Sequence, residues 1–184
     1  MGFFKRGDQK KLSSLEVARR LEELFVQRDP EGEIKKMTEE FAIIASDMEA
    51  YLCLVSLYLL VLTKVLRSGR LRVAPSIATP IIQSLQESLL SQVSPMGLLS
   101  MEADAVPKRF KEITRKLSRI WEEGRDEAPG PDWSVAKEVC FLLNGRAKEP
   151  PPGLVFKFSS LVTNYVHSVR ELFERLEKEY LFVR

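Results

Sequence analysis

The side chains best able to do chemistry are few and widely spaced. The one histidine, His167, stands between Val166 and Ser168, and a lone imidazole offers a general base or a pH sensor. A di-iron helix would place Glu three residues earlier, where this chain has Asn164. With nothing nearby to complete a site, His167 reads as a helix-surface or half-buried imidazole. Cys53 and Cys140 lie far apart within apolar runs, and neither has Cys or His at zinc-ligand spacing. They read as buried free thiols of a protein in a reducing compartment, so a cytoplasmic location is expected. Glu39-Glu40 and Asp47-x-Glu49 have the chemistry to hold a hard cation, but they fall on outward positions of a helical pattern, where solvated charge is the expected role. The sequence has no Gly-x-Ser-x-Gly, no Walker loop and no Gly-x-Gly-x-x-Gly. It therefore argues for no enzyme, no metal and no cofactor.

Two basic clusters carry more. Lys108, Arg109, Lys111, Arg115, Lys116 and Arg119 crowd one helical stretch with Glu112 as the only acid before Glu122. Lys64, Arg67, Arg70 and Arg72 form a second group. Such clusters suit phosphates of nucleic acid or an anionic surface. Against that, the net charge is only +2, no aromatics are interleaved for base stacking, and no helix-turn-helix spacing is evident. Anion binding is accordingly the second reading, behind a solvated face.

The elements that must position these residues are helical. Ser13-Ser14-Leu15-Glu16 is a capping box, followed by Leu15, Ala18, Leu21, Leu24 and Phe25 at helical spacing. Asp29-Pro30 is an N-cap with Pro at the first helical position. Ile34, Met37, Phe41, Ile44, Met48, Tyr51, Val55, Tyr58, Leu62 and Val65 then alternate three and four apart. That spacing predicts one long helix from about Pro30 to Ser68, roughly 55–60 Å at 1.5 Å per residue. Up to Glu49 its outward positions are polar. From Ala50 to Thr63 it carries no charge and is apolar all round, so something must enclose it. That stretch covers only about 21 Å against a bilayer core of about 30 Å, so no transmembrane span is expected.

Further helices are expected from Thr79-Pro80 to Val93, from Pro107 to Gly124, from Asp132 as cap to Asn144-Gly145, and across Leu161 to Tyr180. Ser94-Pro95-Met96-Gly97 breaks the chain, and Leu98 to Val106 has room for one turn. Residues 148–153, Lys148-Glu149-Pro150-Pro151-Pro152-Gly153, read as a stiff connector before the last helix. Leu71-Arg72-Val73 and Val155-Phe156-Lys157-Phe158 alternate, and are the candidates for a minimal two-stranded pairing of 71–73 with 155–158.

At 184 residues, 45% hydrophobic and 29% charged, the chain has the balance of one folded domain rather than a disordered one. Residues 1–12 read as a basic flexible tail, with no apolar run after Lys5 and Arg6 for a signal peptide and with Arg6 where myristoylation wants Ser or Thr. Residues 13–184 read as a single helical domain. The expected fold is an all-α bundle of five or six helices around the one long central helix. The expected function is a non-enzymatic interaction or adaptor module, self-associating as a homodimer or binding a protein partner. Its seam is Ile34, Met37, Phe41 and Ile44, the part of the pattern nearest the polar half. A third reading is a carrier of an apolar ligand in a pocket lined by Tyr51, Tyr58, Phe156 and Phe158.

Overall fold

The computed structural model describes residues 10–68, 71, 73–92, 105–124, 130–146 and 149–183. Among these the chain forms β1 (Lys10–Ser13), α1 (Ser14–Val26), α2 (Pro30–Phe41), α3 (Asp47–Arg67), α4 (Pro75–Ser91), α5 (Ala105–Glu123), α6 (Pro131–Asn144), α7 (Pro152–Glu179) and β2 (Tyr180–Val183). It is an all-α bundle with a minimal sheet, as the periodicities lead one to expect. The basic tail at 1–9, the break at 94–97, the turn at 98–104, and Gly69, Arg70 and Arg72 lie outside the described residues.

The long central helix is instead two helices. α2 ends where Ala42 takes the left-handed conformation (φ 49°, ψ 52°), and α3 restarts at Ser46, whose side chain accepts the Glu49 N–H. The intervening backbone is held by the end of α6: Ala45 N–H donates to Leu143 O at 2.9 Å and Ile44 N–H to Asn144 Oδ1 at 3.3 Å. One carbonyl that a helix end leaves free is thereby satisfied. Apolar spacing of three and four continues through this corner, but it does not keep the helix going, because Ile43 turns inward (8% exposed) and Ile44 outward (80%). A Ser-x-x-Glu signal at Ser46 and Glu49 marks the restart.

At the other starts, local chemistry decides. Ser13 forms the full capping box with Glu16. Asp29, itself left-handed, accepts the Gly32 N–H at 3.1 Å, and a Cβ on residue 32 would lie 2.0 Å from the Asp29 carboxylate, so a larger residue there would displace the capping side chain. α4 opens at Pro75 rather than at Thr79-Pro80, because Pro75 already suits a first position and Pro80 is accommodated in the second turn. Gly130 caps α6 and Asp132 lies inside its first turn, where its carboxylate accepts the Ser159 hydroxyl at 3.2 Å. α7 starts inside the Pro-rich stretch, at Pro152.

The expected pairing of 71–73 with 155–158 is not formed. Val155 and Phe158 belong to α7, whose inward set of Leu154, Val155, Phe158, Leu161, Val162 and Tyr165 keeps helical spacing. The strands are elsewhere: Lys10–Ser13 pairs in parallel with Tyr180–Val183, Lys10 opposite Tyr180 and Ser13 opposite Val183. Lys10 to Leu12, expected in the flexible tail, are thus tied down, with Leu12 buried. Phe182 packs edge-on to Phe173 with ring centroids 5.9 Å apart.

α3 lies at the centre, against α2, α4, α5, α6 and α7, while α1 packs chiefly on α4 rather than back along α2. Every residue from Ala50 to Leu62 is buried. By length and composition Asp47–Arg67 passes as a membrane-crossing helix, with a mean hydropathy of 1.8 over its most apolar stretch, and 83% of that stretch is buried inside the fold. Its 21 residues reach about 31 Å at 1.5 Å each. The short uncharged run therefore does not decide the matter by length.

Candidate functional site

The core around α3 is aromatic. Phe25 of α1 lies with its ring centroid 5.0 Å from that of Tyr58, and Tyr165 of α7 meets Tyr58 at 5.1 Å. Tyr58 donates its hydroxyl to Leu21 O at 2.9 Å, and Tyr51 donates to Gln92 Oε1 at 3.2 Å. Burial pushes Tyr58 and Tyr165 well above the usual phenol range and Tyr51 up to about 12. The apolar-ligand pocket drawn from Tyr51, Tyr58, Phe156 and Phe158 is not assembled: three of the four are buried in this core, and Phe156 stands apart from them at 66% exposed.

Both cysteines are buried and free. Burial raises the Cys53 thiol, with Glu49 adding to it, and raises Cys140 to about 12. Burial thus disfavours the thiolate form in which a cysteine acts as a nucleophile. His167 is on the surface, with Nε2 3.1 Å from Glu171 one turn on. Of the acidic pairs, Glu40 bonds Lys157 and Glu49 bonds Arg109. Among the described residues no group of three or more His, Cys, Asp or Glu is placed to hold a metal.

The six basic residues on α5 divide into two sets. Arg109 is held by Glu49 of α3 and by Glu112 at 2.9 Å; these hydrogen bonds, the one to Glu49 foremost, raise its affinity for its proton. Lys116 meets Glu138 at 2.6 Å, and Arg146 binds both oxygens of the same buried carboxylate. Glu138 is thus a neutralised hub joining α5 to α6, which is why a carboxylate can lie there. Arg119 faces Glu123 at 3.6 Å with both side chains exposed, a pairing that contributes little. Lys108, Lys111 and Arg115 remain exposed on one helix face. Two of the six residues in the cluster read from the sequence, Arg109 and Lys116, are therefore structural.

The partner seam is divided too. Ile34 (3% exposed) and Met37 (2%) are covered by the chain's own α3, so they are core rather than a free surface. The helical period identified an apolar face correctly and could not say whose surface fills it. Phe41 and Ile44 lie at the open end. Phe41 is half-buried, contacts the backbone of α7 at Gly153, where an added Cβ would meet its ring at 3.4 Å, and carries the Lys157 ammonium 5.4 Å from its ring centre. Ile44 follows Phe41 by three residues and Phe156 follows Gly153 by three, both exposed to solvent, as are Pro151 and Pro152. The sequence reading placed Phe156 in a candidate strand and in the lining of an apolar-ligand pocket rather than on a partner surface; its displacement from the α7 inward set was the available signal.

No protein-family model matches the sequence, and no curated protein or solved structure matches it.

Proposed function

We propose that the chain is a non-enzymatic helical interaction module that associates with a second copy of itself through the apolar end formed around Phe41, Ile44 and Phe156. The observation that carries this is the exposure of Ile44 at 80% and Phe156 at 66% on either side of one contact. Single exposed apolar residues are ordinary. An Ile, a Phe, a half-buried Phe and two prolines gathered at one end of a bundle are the composition of an interface centre, where aromatic anchors dominate the energy.

A second copy suits this end because an apolar patch is complementary to itself, as a two-fold interface requires. The charges around it are mixed, Glu40 with Lys157 and Lys137 with Glu149, so like copies do not repel. Burying an Ile and a Phe from each copy contributes about 1.5–3 kcal/mol per side chain, set against an association cost of about 4–15 kcal/mol. At their most favourable these ranges leave about 8 kcal/mol, so the dimer is at best a weak, micromolar one. In this reading α3 is a core helix rather than a membrane span, and the two buried thiols suit a reducing compartment.

Sedimentation velocity over a concentration series up to about 100 µM tests the proposal on the native chain and on Ile44→Ser/Phe156→Ser. The native chain is expected to move from monomer toward dimer, and the double variant to remain monomeric across the series. A native chain that stays monomeric throughout, or a variant that dimerises as well as the native chain, contradicts it.

A further inference from the structure

A second feature, independent of the apolar end, lies where the last turns of α3 and α5 meet the middle of α7. A pocket of about 500 Å³ opens there, lined by Lys64 and Arg67 of α3, Trp121 and Glu122 of α5, and Val166 and Arg170 of α7 among others. Its size falls within the range of small-molecule sites, about 300–1,000 Å³. Three cations face one acid. Lys64 is engaged by Glu122, Arg67 is exposed, and Arg170 is half-buried with its Nε sealed from solvent and without a hydrogen-bond partner.

The sealed Nε does not itself meet the pocket, but Arg170 lines it, and a guanidinium fork fits the paired oxygens of a phosphate or carboxylate. The carbonyl end of α3 opposes an anion here, so the cations must outweigh it, and Lys64 and Arg67 in its last turn already do so. The remaining wall is apolar: half-buried Trp121 beside Val65 and Val166. Cations at one side and an indole at the other are wasted on a bare inorganic ion. They suit a molecule with an anionic end and a flat ring.

We propose that this pocket binds a small organic anion, an oxyanion carried on an aromatic ring, with Arg170 and Arg67 holding the oxygens and Trp121 covering the ring. Arg170 is on no basic cluster of the sequence; only the packing of α7 against α3 brings it beside Lys64 and Arg67.

The indole N–H signals of the ¹⁵N-labelled full chain report the test, with Trp133→Phe assigning the Trp121 signal. Four probes are titrated: 1-naphthyl phosphate, 1-naphthoate, neutral 1-naphthol and inorganic phosphate. At least one aryl anion is expected to shift the Trp121 signal saturably below about 1 mM, at least about tenfold more tightly than naphthol or inorganic phosphate. Whichever aryl anion binds tighter identifies the head group. Arg170→Gln is expected to weaken that binding about tenfold or more and leave the naphthol response unchanged, and Arg67→Gln, at an exposed position, gives the same direction with no risk to folding. Failure of both aryl anions to bind, inorganic phosphate binding as tightly as either, or unchanged binding in both arginine variants overturns the proposal.

Discussion

Tyr58 and Tyr165 are ring neighbours in the same core, yet their hydroxyls have opposite fates. Tyr58 donates to Leu21 O at 2.9 Å, whereas the Tyr165 hydroxyl is buried with no hydrogen-bond partner. An unmade buried bond costs more than a made one contributes. Tyr58→Phe is therefore expected to destabilise by about 1 kcal/mol, and Tyr165→Phe to be neutral or to stabilise by up to about 1 kcal/mol. Urea denaturation measures both, and equal losses would contradict the contrast. Glu33 gives a pH-dependent test. Burial raises its carboxyl above the usual range, opposed by the attraction of Arg28 and Lys36. A carboxyl raised in the folded state adds stability below its unfolded value, and that stability is lost as pH rises through its folded value. Glu33→Gln should therefore match the native chain at about pH 4 and gain on it by about pH 7. A variant that loses stability relative to native over that rise would reverse the assigned sign.

At the scale of elements, the corner between α2 and α3 is the largest departure from what the spacing of apolar residues implies. Ala42 sits at φ 49°, where a Cβ is strained and glycine is not. Ala42→Gly is expected to stabilise by about 1 kcal/mol, and Ser46→Ala to cost about 1 kcal/mol through loss of the cap. In an unbroken helix both signs would invert, since Gly costs about 1 kcal/mol against Ala there and Ala is the better helix former at 46. Thermal and urea unfolding of the two variants therefore decide between one helix and two. The elements themselves were mostly legible: capping at Ser13 and Asp29, the all-round burial of Ala50 to Leu62, and the inner faces of α5 and α7 follow from local chemistry and period. What period cannot carry is interruption. Ile34 to Val65 keeps its spacing straight through a bend, because both sides of the corner face the same core and the corner is fixed by α6, a hundred residues away at Asn144. The parallel pairing of β1 with β2 was invisible for the same reason, joining residues as far apart in the chain as Lys10 and Tyr180.

For the whole molecule, the position of α3 settles which surfaces are available. A helix apolar on every side needs neighbours on every side, and α2, α4, α5, α6 and α7 supply them. Doing so uses Ile34 and Met37 as core, which removes them from any partner surface, so of the seam only Phe41 and Ile44 stay open. Among the described residues Ile44, Leu15 and Phe156 are the most exposed of the large apolar side chains, ahead of Leu181 and Val26. The candidate residues were thus half legible: the sequence identifies which side chains are apolar or basic, and only packing decides which are already satisfied. Arg109 and Lys116 are satisfied by Glu49 and Glu138; the Ile44 side chain is left 80% exposed. The measurement that bears most directly on this account is photo-crosslinking from position 44. Ile44→p-benzoylphenylalanine keeps the position apolar, and a mixture of ¹⁵N-labelled and unlabelled chains separates crosslinks between copies from those within one. The account predicts mixed-isotope crosslinked peptides that join position 44 to the segment around Phe41 or Phe156 of a second copy. Crosslinks confined to a single chain, or joining position 44 of one copy to a distant face of another, would contradict it.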